Sequence, residues 1–420
     1  MLHLLRLEFT KMKRSRFTYV LLFVLFVSLC IYFFYIDRKE TKLEEAEAYI
    51  ITNLESHLEW YESAKKELDE KDGKADRILQ NNLNASERQY NAFKMMHEGF
   101  TNKNWSLYWQ GEILNNSFWE ETKKKELEFV AKSYTYPTPF TIFSGMDQMR
   151  WMEERSIQPI FPTGSLTWLS LYDEEFSEPI AKEIALKYSQ KYSTSGIHFI
   201  YHLFSYGFGF IGLMFFLFLF SDILTKEGFG RNGPIQMLRT VPIRRSTFWF
   251  SKAFTVIGGS FLVICCITIV GVTLGTIFNR FGDWDYPILI YGPDRTYSFL
   301  PIAEFLGKSL LLFLLVLAFS FTLLFLFSIL TNRAILTIGL TVIAIIIGQT
   351  LTDQASLLSW VHWLPFHYIE VYPILSGEYA ITTDNPIFTY QQAILSLSLS
   401  TLILLLITFS AVKLRKGVMS

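Results

Sequence analysis

The chain has 420 residues and a net charge of only −1, yet half of it is hydrophobic, with 39 Phe, 21 Tyr and 10 Trp. So apolar and aromatic a composition excludes an ordinary soluble domain and points to lipid. No nucleic acid is expected as a partner.

Taken in chain order, residues 1–16 place Leu2, Leu5, Phe9 and Met12 at helical spacing beside Arg6, Lys13 and Arg14. This is the pattern of an amphipathic helix lying at a membrane interface. The run 17–36 is long enough to cross a hydrocarbon core, which takes about 20 helical residues. It exceeds a signal-peptide core, and Tyr35, Ile36, Asp37 and Arg38 follow it where a small-residue cleavage site would stand, so it reads as a retained anchor.

Segment 37–196 holds 20 basic and 28 acidic residues, a net of −8 that leaves +7 for the rest of the chain. Leu43, Ile50, Leu54, Leu58, Tyr61 and Leu68 share one helical face, predicting a long helix that continues the first span. Beyond the breaker at Gly73, helices are expected over 75–98, 117–132 and 177–191. Prolines and turn residues from Tyr136 to Pro162 predict loops with a short strand. Trp105, Trp109, Trp119, Trp151 and Trp168 read as core aromatics, given the area each buries. Cys30, Cys265 and Cys266 all fall in apolar runs, so this segment uses no disulfide.

Further apolar runs follow at 197–221, 253–278, 305–330, 334–351 and 393–412. Basic residues collect on cytoplasmic loops. They cluster in 1–16, in 222–252, at Arg333 and in the tail with Lys413, Arg415 and Lys416, whereas 352–392 has no Lys or Arg. Six spans with both termini cytoplasmic fit this bias. The expected fold class is therefore an α-helical polytopic membrane protein with six transmembrane helices, an amphipathic N-terminal interfacial helix, and a large, mainly helical extracytoplasmic domain between helices 1 and 2. Its parts are 1–16, the first span 17–36, the extracytoplasmic domain 37–196, and 197–420, which carries the remaining spans, the cytoplasmic loop 222–252 and the extracytoplasmic loops 279–304 and 352–392.

The loop 222–252 reads as a short helix bracketed by breakers and basic ends. Gly233 and Pro234 can start it, Ile235, Met237 and Leu238 give it an apolar side next to Arg239, and Pro242 stops it. Apolar side chains and guanidinium groups just beneath a bilayer suit a socket on a partner protein. The spacing of Glu227, Gly233, Leu238, Pro242, Arg245 and Lys252 resembles the loop after the second span of ABC-2 type transporter permeases, and Leu364 to Gly377 is similar to the Pro, Tyr and small-residue-Gly pattern before that family's last span. The resemblance covers the whole chain except 37–196, a larger insertion than the minimal members carry, and Pro234 stands where relatives often have Thr.

The resemblance implies a coupling helix formed by Glu227, Gly233, Ile235, Met237, Leu238, Arg239, Pro242, Arg244, Arg245 and Lys252, and an outer hairpin marked by Pro365, Tyr368 and Gly377. It implies two partner ABC ATPase subunits that bind ATP and Mg²⁺, a second permease chain of the same or a related kind, and surrounding lipid. No GxxxxGK[ST] phosphate loop occurs in the chain, so energy is expected from another subunit, with no cofactor of its own. The implied function is ATP-driven export, by alternating access, of a hydrophobic or amphipathic substrate (peptide, antibiotic or lipid) across a bacterial plasma membrane. The alternative is a membrane sensor or immunity protein that binds a peptide through its extracytoplasmic domain without transport.

Other signals carry less. Gly207-Phe-Gly209-Phe-Ile-Gly212 and Gly228-Phe-Gly230-Arg-Asn-Gly233 both match GxGxxG but follow no strand; the first is expected inside an apolar helix and the second at the entry to the coupling loop. His198 with His202, and His362 with His367, read as packed or solvated side chains and not as a metal site. Glu304 and Lys308 are placed to pair, and Gly271 and Gly275 fit a close helix contact. No nucleophile, base and orienter assemble into a catalytic set.

Overall fold

The computed structural model describes residues 10, 15–70, 77–119, 134–225, 245–331, 334–355, 358 and 360–417. The first span is α1, Arg16–Lys39, opened by Ser15, whose hydroxyl accepts from the Thr18 N–H at 3.4 Å. After a break of three residues the chain resumes as α2, Leu43–Glu70, and the two run on as a 55-residue rod. The sequence expectation of a long continued helix is therefore met. The expected interfacial helix over 1–16 lies almost wholly outside the described residues.

The polar segment is built on α2, with α3 (Arg77–Thr101) packed along it and α4 (Trp105–Asn115) packed on α3. Ring pairs close the seam: His57 stacks on Phe93 at 4.8 Å between centroids and Tyr61 on Tyr90 at 5.7 Å. Trp109 and Trp168 are buried in the core, and the Trp109 indole donates to the Ile157 carbonyl at 2.6 Å.

One expectation fails here. Much of Tyr136–Pro162 is not loop but α5, Pro139–Glu154. Thr138 caps it by accepting from Thr141 N–H, and Pro139 occupies the first helical position, where its missing N–H costs nothing. Prolines that look like breakers are thus helix starters. A further helix, α6, covers Pro179–Tyr188, close to the expected 177–191; 120–133, most of the expected 117–132 helix, is outside the described residues.

The second span is not one helix. It is the pair α7 (Gly196–Gly207) and α8 (Phe210–Thr225), bent by 80° at Phe208 and Gly209. Next comes α9, Arg245–Phe278. The 279–304 connection, expected as loop, contains an antiparallel hairpin of β1 (Pro287–Tyr291) and β2 (Tyr297–Pro301), registered Pro287 to Pro301 and Tyr291 to Tyr297. Then follow α10 (Ile302–Thr331), α11 (Ala334–Gln354), two short helices α12 (Val371–Leu375) and α13 (Glu378–Thr382), and α14 (Tyr390–Gly417).

Among the described residues, five helices are long and apolar enough to cross a membrane, or six when the bent pair counts as one. The chain is a helical polytopic membrane protein.

Helix α10 is the centre of the bundle. Leu312, Phe313, Val316, Leu317 and Leu324 are all fully buried on it, against α8, α11 and α14. By contrast α1, α9 and α14 leave Phe23, Ile31, Ile269, Leu402 and Leu406 exposed, apolar faces that suit lipid. Where hydrocarbon surrounds helices, small residues that let backbones approach supply the adhesion. Gly271 and Gly275 do this against α7: a Cβ on Gly275 would lie 2.5 Å from the Gly196 Cα. The first N–H groups of α7 are satisfied by the carbonyls of Arg280 and Phe281, both at 2.9 Å. The expected Glu304–Lys308 pair forms at 2.8 Å.

The polar segment is tied to the bundle through the β-hairpin. Tyr297 donates to Asp147 at 2.5 Å, the Trp151 indole donates to the Asp285 carbonyl at 2.9 Å, and the Leu171 N–H donates to the Tyr291 hydroxyl at 3.2 Å.

Candidate functional site

A helix interrupted in mid-span leaves its own N–H and C=O groups without intrahelical partners, and hydrocarbon offers no water to satisfy them. At Phe208 and Gly209 those groups are met by the segment 361–382. The Phe210 N–H, first donor of α8, hydrogen-bonds the Glu370 Oε1 at 3.0 Å, and the Phe208 carbonyl accepts from the Val371 N–H at 3.2 Å. Glu370 thereby sets a negative charge at the positive end of a 16-residue helix. Gly209 lies so close to this carboxylate that a Cβ there would overlap Glu370 Oε2. Of the glycines of the first GxGxxG match, expected inside one apolar helix, Gly207 ends α7, Gly212 lies in the first turn of α8, and Gly209 sits at the break between them, where it permits close approach of the carboxylate. Phe208 locks the bend from the other side by stacking on Phe313 of α10, with centroids 4.3 Å apart and planes within 3°.

The segment that supplies Glu370 is a pair of short helices with its own framework. Pro365 opens a 3₁₀ turn, Pro365–Ile369, after Leu364. Tyr368 is fully buried and its hydroxyl donates to the His362 carbonyl at 2.7 Å. Gly377 sits at φ +77°, and a side chain there would strike the Tyr291 carbonyl of β1, so only glycine is accommodated on both counts. The Tyr291 N–H donates to the Ser376 carbonyl at 2.8 Å, joining the segment to the β-hairpin. His367 is buried against Tyr379, whose hydroxyl donates to Asp353 at 2.9 Å. Pro365, Tyr368 and Gly377 thus shape the run of short helices that meets the break.

Of the residues assigned to the coupling loop, Glu227, Gly233, Ile235, Met237, Leu238, Arg239, Pro242 and Arg244 lie outside the described residues, and Arg245 opens α9. Lys252 is placed firmly. It is fully buried on α9, and its ammonium donates to the Ile223 carbonyl near the end of α8 at 2.6 Å. This bond pins together the two helix ends from which the loop departs, and it gives a buried charge the acceptor it requires. His198 and His202 lie in an aromatic cluster, rings 5.1 Å apart, with Tyr286 at 4.9 Å from His198.

The sequence reading missed Glu370. Its signal was a single acidic residue in the stretch Leu364–Gly377, which has no Lys or Arg.

The bent second span and the segment 361–382 are bonded to one another, and part of this sequence has relatives. Residues 179–348 match the family model described as ABC-2 family transporter protein. This stretch of the chain is similar to the ABC-2 transporter family. It takes in the bent span, the loop 222–252, α9, the β-hairpin and α10, so the ABC-2 region holds all of the bundle centre; the Glu370 segment lies just beyond it. No curated protein and no solved structure matches the chain. The ABC-2 similarity, with the apolar helices, supports a multi-pass membrane component of a transporter.

Proposed function

We propose that the chain is the permease half of an ATP-driven exporter, with both termini and the loop 222–252 on the cytoplasmic face of a bacterial plasma membrane and segment 37–196 on the opposite face. Two ABC ATPase subunits bind ATP and Mg²⁺ and dock on the loop through Ile235, Met237, Leu238 and Arg239. A second permease, the same or a related chain, completes the pathway. The cargo class is a hydrophobic or amphipathic peptide, antibiotic or lipid.

The observation that carries this reading is the Lys252–Ile223 bond. A loop whose two roots are bonded together moves α8 and α9 as a pair, and α8 begins at the bend capped by Glu370. Closure of an ATPase pair beneath the loop then tilts α8 about that bend and opens one side of the pathway while closing the other.

The test is co-purification from native membranes. With Met237, Leu238 and Arg239 replaced together by Ala, Ala and Glu, the ATPase is expected to be lost while the permease remains folded. Retention of an ATPase at wild-type stoichiometry would overturn the docking assignment.

A further inference from the structure

A second feature lies away from the loop, where α5 of the polar segment, the first half of the bent span, strand β1 and the short helices α12–α13 meet. They line a half-open cavity of about 230 Å³. Its walls carry Lys191, Glu378, His202, Tyr286, Tyr201 and Gln148.

The two charged groups are the informative ones. Lys191 comes from the end of the polar segment, where its backbone is held at φ +44°, a conformation that most side chains avoid. Its ammonium donates to the Gln148 Oε1 at 3.3 Å, and among the described residues it makes no ion pair. Glu378 opens α13, its backbone N–H donating to the Ser376 hydroxyl at 3.5 Å, and among the described residues it makes no ion pair either. Both side chains are half-buried, and charges drawn out of water are ordinarily paired, because leaving it is costly. Here an ammonium and a carboxylate line one chamber without reaching each other. His202, on the same wall, is buried with its Nε2 lacking any hydrogen-bond partner.

We infer that this cavity binds a small zwitterion of the α-amino-acid class, its carboxylate on Lys191 and its ammonium on Glu378. The tyrosine rings and hydroxyls of Tyr201 and Tyr286 line the space between, which suits a short aliphatic body with polar ends. Binding needs no ATPase and no movement of the loop, so it stands or falls apart from the exporter reading.

The pH dependence has a definite sign. Burial pushes the Lys191 ammonium down to about 8, so it is charged below that pH and neutral above it. Burial raises the Glu378 carboxyl above its ordinary range. The titratable groups lining the cavity with Lys191 are His198, His202, Tyr201, Tyr286, Tyr291, Tyr372 and Glu378. Carboxylate affinity is therefore present near pH 7 and lost as pH rises through 8 to 9.

The experiment is isothermal titration of the detergent-purified full-length chain with L-alanine and L-leucine, against acetate and methylammonium as single-charge controls. One saturable site is expected for an amino acid, with Lys191→Met and Glu378→Gln each weakening it by about tenfold or more. Where a variant fails to fold, the wild-type pH series decides. Absence of saturation by about 10 mM amino acid, equal binding of acetate, unchanged affinity in folded variants, or affinity flat between pH 7 and 9 would each overturn the assignment.

Discussion

At the residue scale the demanding position is Glu370, whose carboxylate meets the amide of a helix that starts inside the bundle. Its replacements should rank by what they leave behind. Glu370→Gln keeps an acceptor and loses the charge that complements the helix dipole; Glu370→Ala loses both and leaves the Phe210 N–H bare. A charge-assisted hydrogen bond of this kind contributes on the order of 1–3 kcal/mol, so the midpoint of thermal unfolding in detergent is expected to fall furthest for Ala, with Gln between it and wild type. Gly209→Val should act like Glu370→Ala, since a side chain at 209 evicts the carboxylate. Equal midpoints for Ala and wild type would show that the Glu370 carboxylate does not hold the bend.

Among the elements, the contact between α7 and α9 rests on backbone proximity, and glycines that look alike in sequence differ sharply in what they do. Gly275 abuts Gly196, whereas an added Cβ at Gly258 on the same helix meets nothing within 4 Å. Gly275→Ala is expected to destabilise the chain by more than about 1 kcal/mol through overpacking. Gly258→Ala should be neutral or slightly stabilising, from helix propensity alone. Denaturant titration of the two variants side by side checks the contrast.

The same elements show how much was legible in sequence. Apolar runs at 17–36, 305–330 and 393–412 fall inside α1, α10 and α14, because span length and hydropathy are local properties. The Gly271–Gly275 contact and the Glu304–Lys308 pair were readable for the same reason. The bend in the second span was not. Residues 197–221 are apolar throughout, and the interruption exists only because Glu370, some 160 positions later, satisfies it. Helix α5 was hidden by prolines whose effect depends on position within the helix, and β1–β2 by a mix of aromatic and turn residues that periodicity does not resolve. Lys191 reads in sequence as one more surface lysine; only the fold brings it to a cavity wall.

For the molecule as a whole, the unequal burial of its spans is informative. Helix α10 is enclosed, while α1, α9 and α14 present apolar faces outward. These faces suit lipid and, in the proposed pair of permeases, contact with one another. The rod formed by α1 and α2 links them to the polar segment, and its joint is tightly dressed: Glu40 takes hydrogen bonds from the Thr194 N–H at 3.0 Å and the Asn279 amide at 2.9 Å. A joint bonded on two sides transmits rotation. With a rise of about 1.5 Å per residue, α2 reaches about 42 Å beyond it, so leaning α1 by about 5° swings the far tip by about 4 Å. The first span thus works as the short arm of a lever and the exposed helical pair as its pointer. Spin labels at Glu62 and Asp384 should report a change of several ångströms on adding nucleotide to the assembled transporter, and a distance distribution indifferent to nucleotide would mean that the pointer is not attached to the engine.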